Sequence, residues 1–176
     1  MLRLLWLSAF VGAVLLANLF LDTFIRLPWF GLFSVGSIFF AAVFTLRNRL
    51  HSYGLHTVYL GIALALLVNM AYGKWIANIS PRFLMASFCA ILLSELSSTA
   101  LFQHLRQWHW HKRVLGSNVI CIPLDSTAFT LLAFAGSLSL YDMSQIIYAD
   151  VLGKLVIATA IAYIPGIAPR TATPVL

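Results

Sequence analysis

Polar positions in this chain are rare, and they come at intervals. Reading from one charged residue to the next leaves six long apolar runs. The first spans about Leu4–Leu21, between Arg3 and Asp22; the second is Leu27–Leu46, between Arg26 and Arg47. The third is about Leu55–Gly73, closing at Lys74, and the fourth about Phe83–Phe102, with Glu95 inside it. The fifth, about Val114–Leu140, contains Asp125 and is long enough to be tilted or broken; the last starts near Val151, carries Lys154 and ends in the Pro165–Pro169 region. A helix needs roughly 20 apolar residues to cross a hydrocarbon core of ~30 Å. Lipid offers no partners to backbone polar groups, so each run predicts a transmembrane helix. Alternating strand-length segments, the signature of a membrane barrel, are absent from the sequence. The expected fold is an all-α integral membrane protein of six transmembrane helices, a single domain over residues 1–176.

Composition excludes the alternative of a soluble domain. Of 176 residues, 61% are hydrophobic and 9% charged, with a mean hydropathy of +0.94. A soluble domain of this length needs a charged surface that this composition does not supply. The first run is long for a secretory signal and only Arg3 precedes it, so it reads as a retained helix.

Charge then sets the orientation. The side holding both termini carries Arg3, Arg47, Arg49, Arg106, Lys112, Arg113 and Arg170; the opposite side carries Arg26, Lys74, Arg82 and Lys154, together with the boundary acids Asp22, Asp142 and Asp150. The basic excess predicts cytoplasmic termini in a multi-pass protein of the inner or plasma membrane. The net charge of +6 is thereby a topology signal and implies no nucleic-acid partner. In the loop His104–Arg113, Trp108 and Trp110 alternate with His109 and His111, the pattern of an interfacial belt and cytoplasmic anchor; no Cys or acid completes a metal set. Cys89 and Cys121 share no redox or metal spacing and pack as small hydrophobes. No enzymatic motif is present, and no cofactor is expected.

Chemistry is left to the polar residues inside the runs. A charge at mid-membrane costs about 2.5–3.5 kcal/mol on insertion scales and marks a functional candidate. Glu95, Asp125 and, less deeply, Lys154 qualify. At helical spacing, Phe88, Ser98 and Phe102 share a face with Glu95, and Asn118, Cys121, Ile122 and Phe129 share one with Asp125. Each carboxylate thus stands with an aromatic ring and a second hydrogen-bonding side chain, a lining suited to a small, planar, polar ligand. Alternatively, a carboxylate simply pairs with Lys154, and Ser97, Ser98, Thr99, Ser126 and Thr127 pack helices together. Pro123 removes one helix hydrogen bond, freeing the carbonyl near Val119 to face a cavity.

The stretches SELSSTALFQHLRQ (Ser94–Gln107) and SNVICIPLDSTAFTLLAFAG (Ser117–Gly136) resemble the queuosine precursor transporters of the vitamin uptake transporter-like family. Asn18, the run Gly31–Arg47 and Lys154 extend the resemblance over most of the chain. It implies a six-helix membrane protein importing 7-deazaguanine bases such as 7-cyano-7-deazaguanine. Ser94, Glu95 and Phe102 match the family's fourth-helix pattern, and Ser117, Asn118, Asp125 and Phe129 its fifth-helix motif. Ser98 stands where the family usually has a second Asp, and Val43 where many members have an Asp before the Thr-x-Arg end of the second helix.

A carboxylate accepts both donors of a guanine-like edge, and aromatic faces stack on the flat bicycle. The resemblance therefore makes Glu95 or Asp125 the clamp for the purine-like substrate, Asn118 and Ser98 its remaining partners, and Phe102 or Phe129 its stacking face. Lys154 neutralises the other carboxylate or, near the outer end of its run, snorkels. The alternative is a substrate-binding subunit that needs an energising ATPase module, with Ala9 and Ala13 as a docking stripe. A homodimer suits so small a unit.

Overall fold

The apolar runs become helices, but three of the predicted runs, the second, fifth and sixth, are redrawn. The computed structural model of the chain describes residues 2–20, 23–28 and 31–168; Leu21, Asp22, Pro169 and Arg170 lie outside the described residues. The elements are α1 (Leu2–Leu19), β1 (Phe24–Leu27), β2 (Gly31–Ser34), α2 (Gly36–Leu50), a single 3-10 turn at His51–Tyr53, α3 (Leu55–Trp75), α4 (Pro81–His104), α5 (Trp110–Phe134) and α6 (Leu140–Ala162). Five of these helices, α1 and α3 to α6, are long and apolar enough to cross a membrane. Apolar side chains cover the outside as well as the core, and polar ones join the interior: Leu67 and Val156 are each 68% exposed, while Glu95, Ser98 and Arg47 are fully buried beside an apolar core.

The second run divides. A helix was expected from Leu27, yet α2 starts only at Gly36 and has 15 residues, about 22 Å at 1.5 Å per residue. Before it, β1 and β2 form an antiparallel hairpin in the register Phe24↔Ser34, Ile25↔Phe33, Arg26↔Leu32 and Leu27↔Gly31. Pro28 and Gly31 bracket the turn, and both discourage a continuous helix. The hairpin is tied down at its base: Val35 N–H donates to Thr23 O at 2.8 Å and Gly36 N–H to Phe20 O at 3.1 Å. Phe33 is buried against the backbone of Gly153 in α6, where a Cβ would meet its ring.

The fifth and sixth runs also redistribute. Instead of reaching Leu140, α5 ends at Phe134, and α6 begins at Leu140 rather than near Val151. Gly136 takes a positive φ of 80° in the turn, and Ser139 caps α6 by accepting from Asp142 N–H at 3.1 Å. Asp150 and Lys154 consequently sit inside α6, not at its outer end. Pro123 lies within α5 without ending it, and Val119 is 57% exposed on the outer face, so the proline opens no cavity in the polar interior.

Two clamps join α4 to α5. At the hairpin end, Arg82 donates to Leu132 O at 3.2 Å, to Ser137 Oγ at 3.2 Å and to Ala135 O. At the end of the termini, Arg113 Nε and Nη2 donate to Phe102 O at 3.2 and 2.8 Å. In the intervening loop Trp108 is exposed as a belt residue should be, whereas Trp110 is buried beside Phe102 and Val114.

Candidate functional site

The register of α4 on α5 divides the buried polar residues into two layers. Ser94 Oγ donates to Asp125 Oδ1 at 3.2 Å. One turn further toward the termini, Ser98 lies beside the Cys121 thiol. The predicted carboxylates therefore have different partners: Asp125 lies in an outer layer nearer the hairpin, and Glu95 in an inner one.

In the outer layer, Lys154 Nζ stands 2.9 Å from Asp125 Oδ2 and 2.6 Å from Asp150 Oδ2. The ammonium also lies 4.7 Å from the centre of the Phe40 ring. It is buried and paired, and does not snorkel. Asp150 accepts further hydrogen bonds from Ser126 Oγ at 2.7 Å and from Ser37 Oγ. Two carboxylates share one ammonium, with hydroxyls from α2, α4 and α5 supplying the remaining donors. Asp150, Ser37 and Ser126 were not among the sequence candidates. Asp150 had been read as a boundary charge because the α6 start was placed beyond it, although Ser139-x-x-Asp142 is a capping pattern that fixes the true start.

Ser37, Asp125, Asp150 and Lys154 line a cleft. Asn18 and Ser87 line it too, Phe40 and Phe129 supply aromatic surface, and Ser34 and Phe24 of the hairpin complete it. Asn18 Nδ2 donates to Val14 O at 3.1 Å, while its Oδ1 accepts from Ser87 Oγ at 2.5 Å. The cleft is narrow, with a cavity volume of about 50 Å³. It leads toward a wider hollow of about 530 Å³ that shares Asn18, Phe24 and Phe134.

The inner layer is closed. Arg47 Nε lies 3.4 Å from Glu95 Oε2, with both side chains fully buried. Arg47 Nη2 donates to Asn48 Oδ1 at 2.6 Å. Sequence reasoning had counted Arg47 as a cytoplasmic boundary charge; it is an internal counter-ion. Ser98 and Asn118 join this layer, buried to 0% and 2% exposure.

Phe102 belongs to neither cavity wall. Its ring centre lies 3.9 Å from the Arg113 guanidinium and 4.7 Å from the His51 ring, so its faces are engaged within the protein. Phe129 lines the cleft and Phe102 does not. His51, in the 3-10 turn beyond the end of α2, is 2.9 Å from Gln103 Nε2 through its Nδ1. Burial, reinforced by the positive charges of Arg47 and Arg113, pushes its pKa down to about 3. The neutral ring therefore accepts from the Gln103 amide.

The outer layer thus joins a solvent-facing cleft to paired charges, and the inner layer holds a buried pair that the cleft does not reach. Such an arrangement can bind a polar solute from one side of a membrane. A family model described as "Putative vitamin uptake transporter" matches residues 3–167. No curated protein and no solved structure matches the chain.

Proposed function

The chain belongs to the putative vitamin uptake transporter family, and we propose that it imports a 7-deazaguanine base such as 7-cyano-7-deazaguanine, a queuosine precursor. The observation that carries this reading is Asp125 in the lining of the cleft, 2.9 Å from Lys154. In this reading the donor edge of the base replaces the ammonium on Asp125, and the ammonium keeps Asp150. Phe129 offers a face for the bicycle, and Asn18 an amide for its remaining polar atoms. In this reading α2 and the hairpin before it complete a sixth crossing, with the termini in the cytoplasm and the cleft open to the outside. Removing Arg47 and Lys154 from the charge count takes one basic residue from each side and leaves the bias unchanged.

The second reading is a subunit docked on an energising ATPase module, through a surface other than the Ala9–Ala13 pair. Ala9 faces outward while Ala13 is buried in the core, so the two do not form one docking stripe. The substrate reading is tested by uptake in cells unable to synthesise deazaguanine bases, supplied with the nitrile base and scored by queuosine in transfer RNA. Rescue by the wild-type chain and its loss in Asp125→Asn at equal expression is the expected result. Full rescue by Asp125→Asn removes that carboxylate from the mechanism.

A further inference from the structure

The two spaces at the hairpin end differ tenfold in size. The cleft, at about 50 Å³, is far below the roughly 300–1,000 Å³ of small-molecule sites, and the neighbouring hollow, at about 530 Å³, lies inside that range. The walls of the hollow come from β1 and from the ends of α1, α3, α4 and α5 that lie opposite the termini. Tyr72, Phe83 and Phe134 supply rings, and Asn78 and Ser80, both exposed, supply polar groups. Among the described residues that line it, none is charged.

Backbone contacts hold this lining in place. Ala77 N–H donates to Tyr72 O at 3.0 Å and Ile79 N–H to Gly73 O at 2.9 Å, folding the α3–α4 linker back on α3. Gly73 lies against Leu84 where a Cβ would not fit. Asn78 takes a φ of 49°, a conformation that asparagine tolerates. Arg82 holds the carbonyls of Leu132 and Ala135, on either side of Phe134. A row of rings then leads inward. Phe83 meets Phe134 at 5.4 Å with an interplanar angle of 69°, and Phe134 meets Phe129 at 6.1 Å and 87°. Phe83 lines the hollow, Phe129 the cleft, and Phe134 both.

We propose that the hollow is a capture seat for a flat heteroaromatic solute, separate from the cleft, and that Phe134 is the wall the solute passes between them. The inference deepens the import reading and rests on it for the choice of base. Rings with a few polar groups suit a planar solute with a hydrogen-bonding rim, whereas a lipid chain would bury Asn78 and Ser80 without partners. Stacking tolerates many ring identities. The seat therefore concentrates flat solutes, and the carboxylate in the cleft selects among them.

Occupancy of the hollow can be read directly. Ser80→Cys is made in a Cys89→Ala chain, Cys121 being buried, and labelled with a water-soluble maleimide in lipid nanodiscs. Ser80 precedes α4 without a side-chain capping bond, so the change is mild. Ile76→Cys, exposed on the same linker but outside the lining of the hollow, is the control. The expected result is that 7-cyano-7-deazaguanine slows labelling at Ser80→Cys and not at Ile76→Cys, and does so equally with Asp125→Asn added. Tyr72→Leu or Phe134→Leu should raise the half-protecting concentration about tenfold, the loss of one stacked ring, at an unchanged ligand-free labelling rate. Either variant decides alone if the other does not fold. Protection that is absent, that disappears with Asp125→Asn, or that ignores both ring variants overturns the proposal. Labelling that is slow without the base and unmoved by it shows lipid in the hollow and overturns it too. Uptake is measured in parallel on the wild-type chain. Uptake without protection keeps the import reading and removes the seat; protection without uptake does the reverse.

Discussion

Ser94 and Glu95 are consecutive on α4, yet they belong to different charge networks. Ser94 donates to Asp125 at 3.2 Å in the outer layer, and Glu95 pairs with Arg47 at 3.4 Å in the inner one. Adjacent helical positions point about 100° apart, so α4 serves α5 with one side chain and α2 with the next.

Lys154 holds two buried carboxylates at once. Replacing it with Met leaves Asp125 and Asp150 without a counter-ion and is expected to destabilise the protein by about 3–5 kcal/mol. The loss is read by denaturation in detergent micelles. Adding Asp125→Asn and Asp150→Asn to the same chain should restore most of it, since no uncompensated charge then remains. A Lys154→Met chain as stable as wild type would show that the triad does not carry this weight.

Arg47 and Glu95 provide a cleaner cycle. Either single change, Arg47→Met or Glu95→Leu, isolates one buried charge, with an expected cost of the same order, about 3–5 kcal/mol. The double variant should return close to wild-type stability and still fail in uptake. Uptake by a stable double variant would place recognition elsewhere.

Gly153 is a packing requirement. The Phe33 ring occupies the space a Cβ would take, so Gly153→Ala is expected to cost about 1–3 kcal/mol through overpacking. Combining it with Phe33→Leu should recover part of the loss. Additive effects in the double variant would mean that the hairpin and α6 do not touch there.

His51 gives the protein an acid sensitivity outside the spanning helices. Its folded pKa of about 3 is below the unfolded value of about 6.5, so the unfolded state binds more protons between these limits. Stability contributed by the neutral ring is full above about pH 6.5 and declines as pH falls toward 3, at up to about 1.4 kcal/mol per pH unit. His51→Gln should flatten that slope in a stability-versus-pH series. An unchanged slope would assign the effect to other groups.

Much of this was legible in the sequence, and the failures share a cause. Glu95, Asp125 and Lys154 stood out because a lone charge in an apolar run is visible without any structure. Arg47 and Asp150 did not, because a charge near the edge of a run reads as a boundary whether it faces headgroups or the interior. Hydropathy alone does not separate those cases; the capping pattern at Ser139–Asp142 does, and it moves the start of α6 by about three turns. The hairpin was hidden for a related reason. Phe24–Ser34 is as apolar as a helix, and only Pro28 and Gly31 punctuate it. The division into two layers depends on how α4 and α5 are paired, which no single-helix periodicity contains.

The paired guanidinium clamps have a mechanical consequence. Arg82 and Arg113 fasten α4 to α5 at both ends, so any sliding of one helix on the other has to break one of these clamps. Across from this pair, Thr45 Oγ1 donates to Ala158 O at 3.2 Å and Ser37 bonds Asp150, coupling α2 to α6 in the same way. Among the described residues, the interhelical salt bridges Arg47–Glu95 and Lys154–Asp125, and the Ser126–Asp150 hydrogen bond, span the seam between these two pairs. A solute entering that seam would have to compete with the same charges that hold the two pairs together.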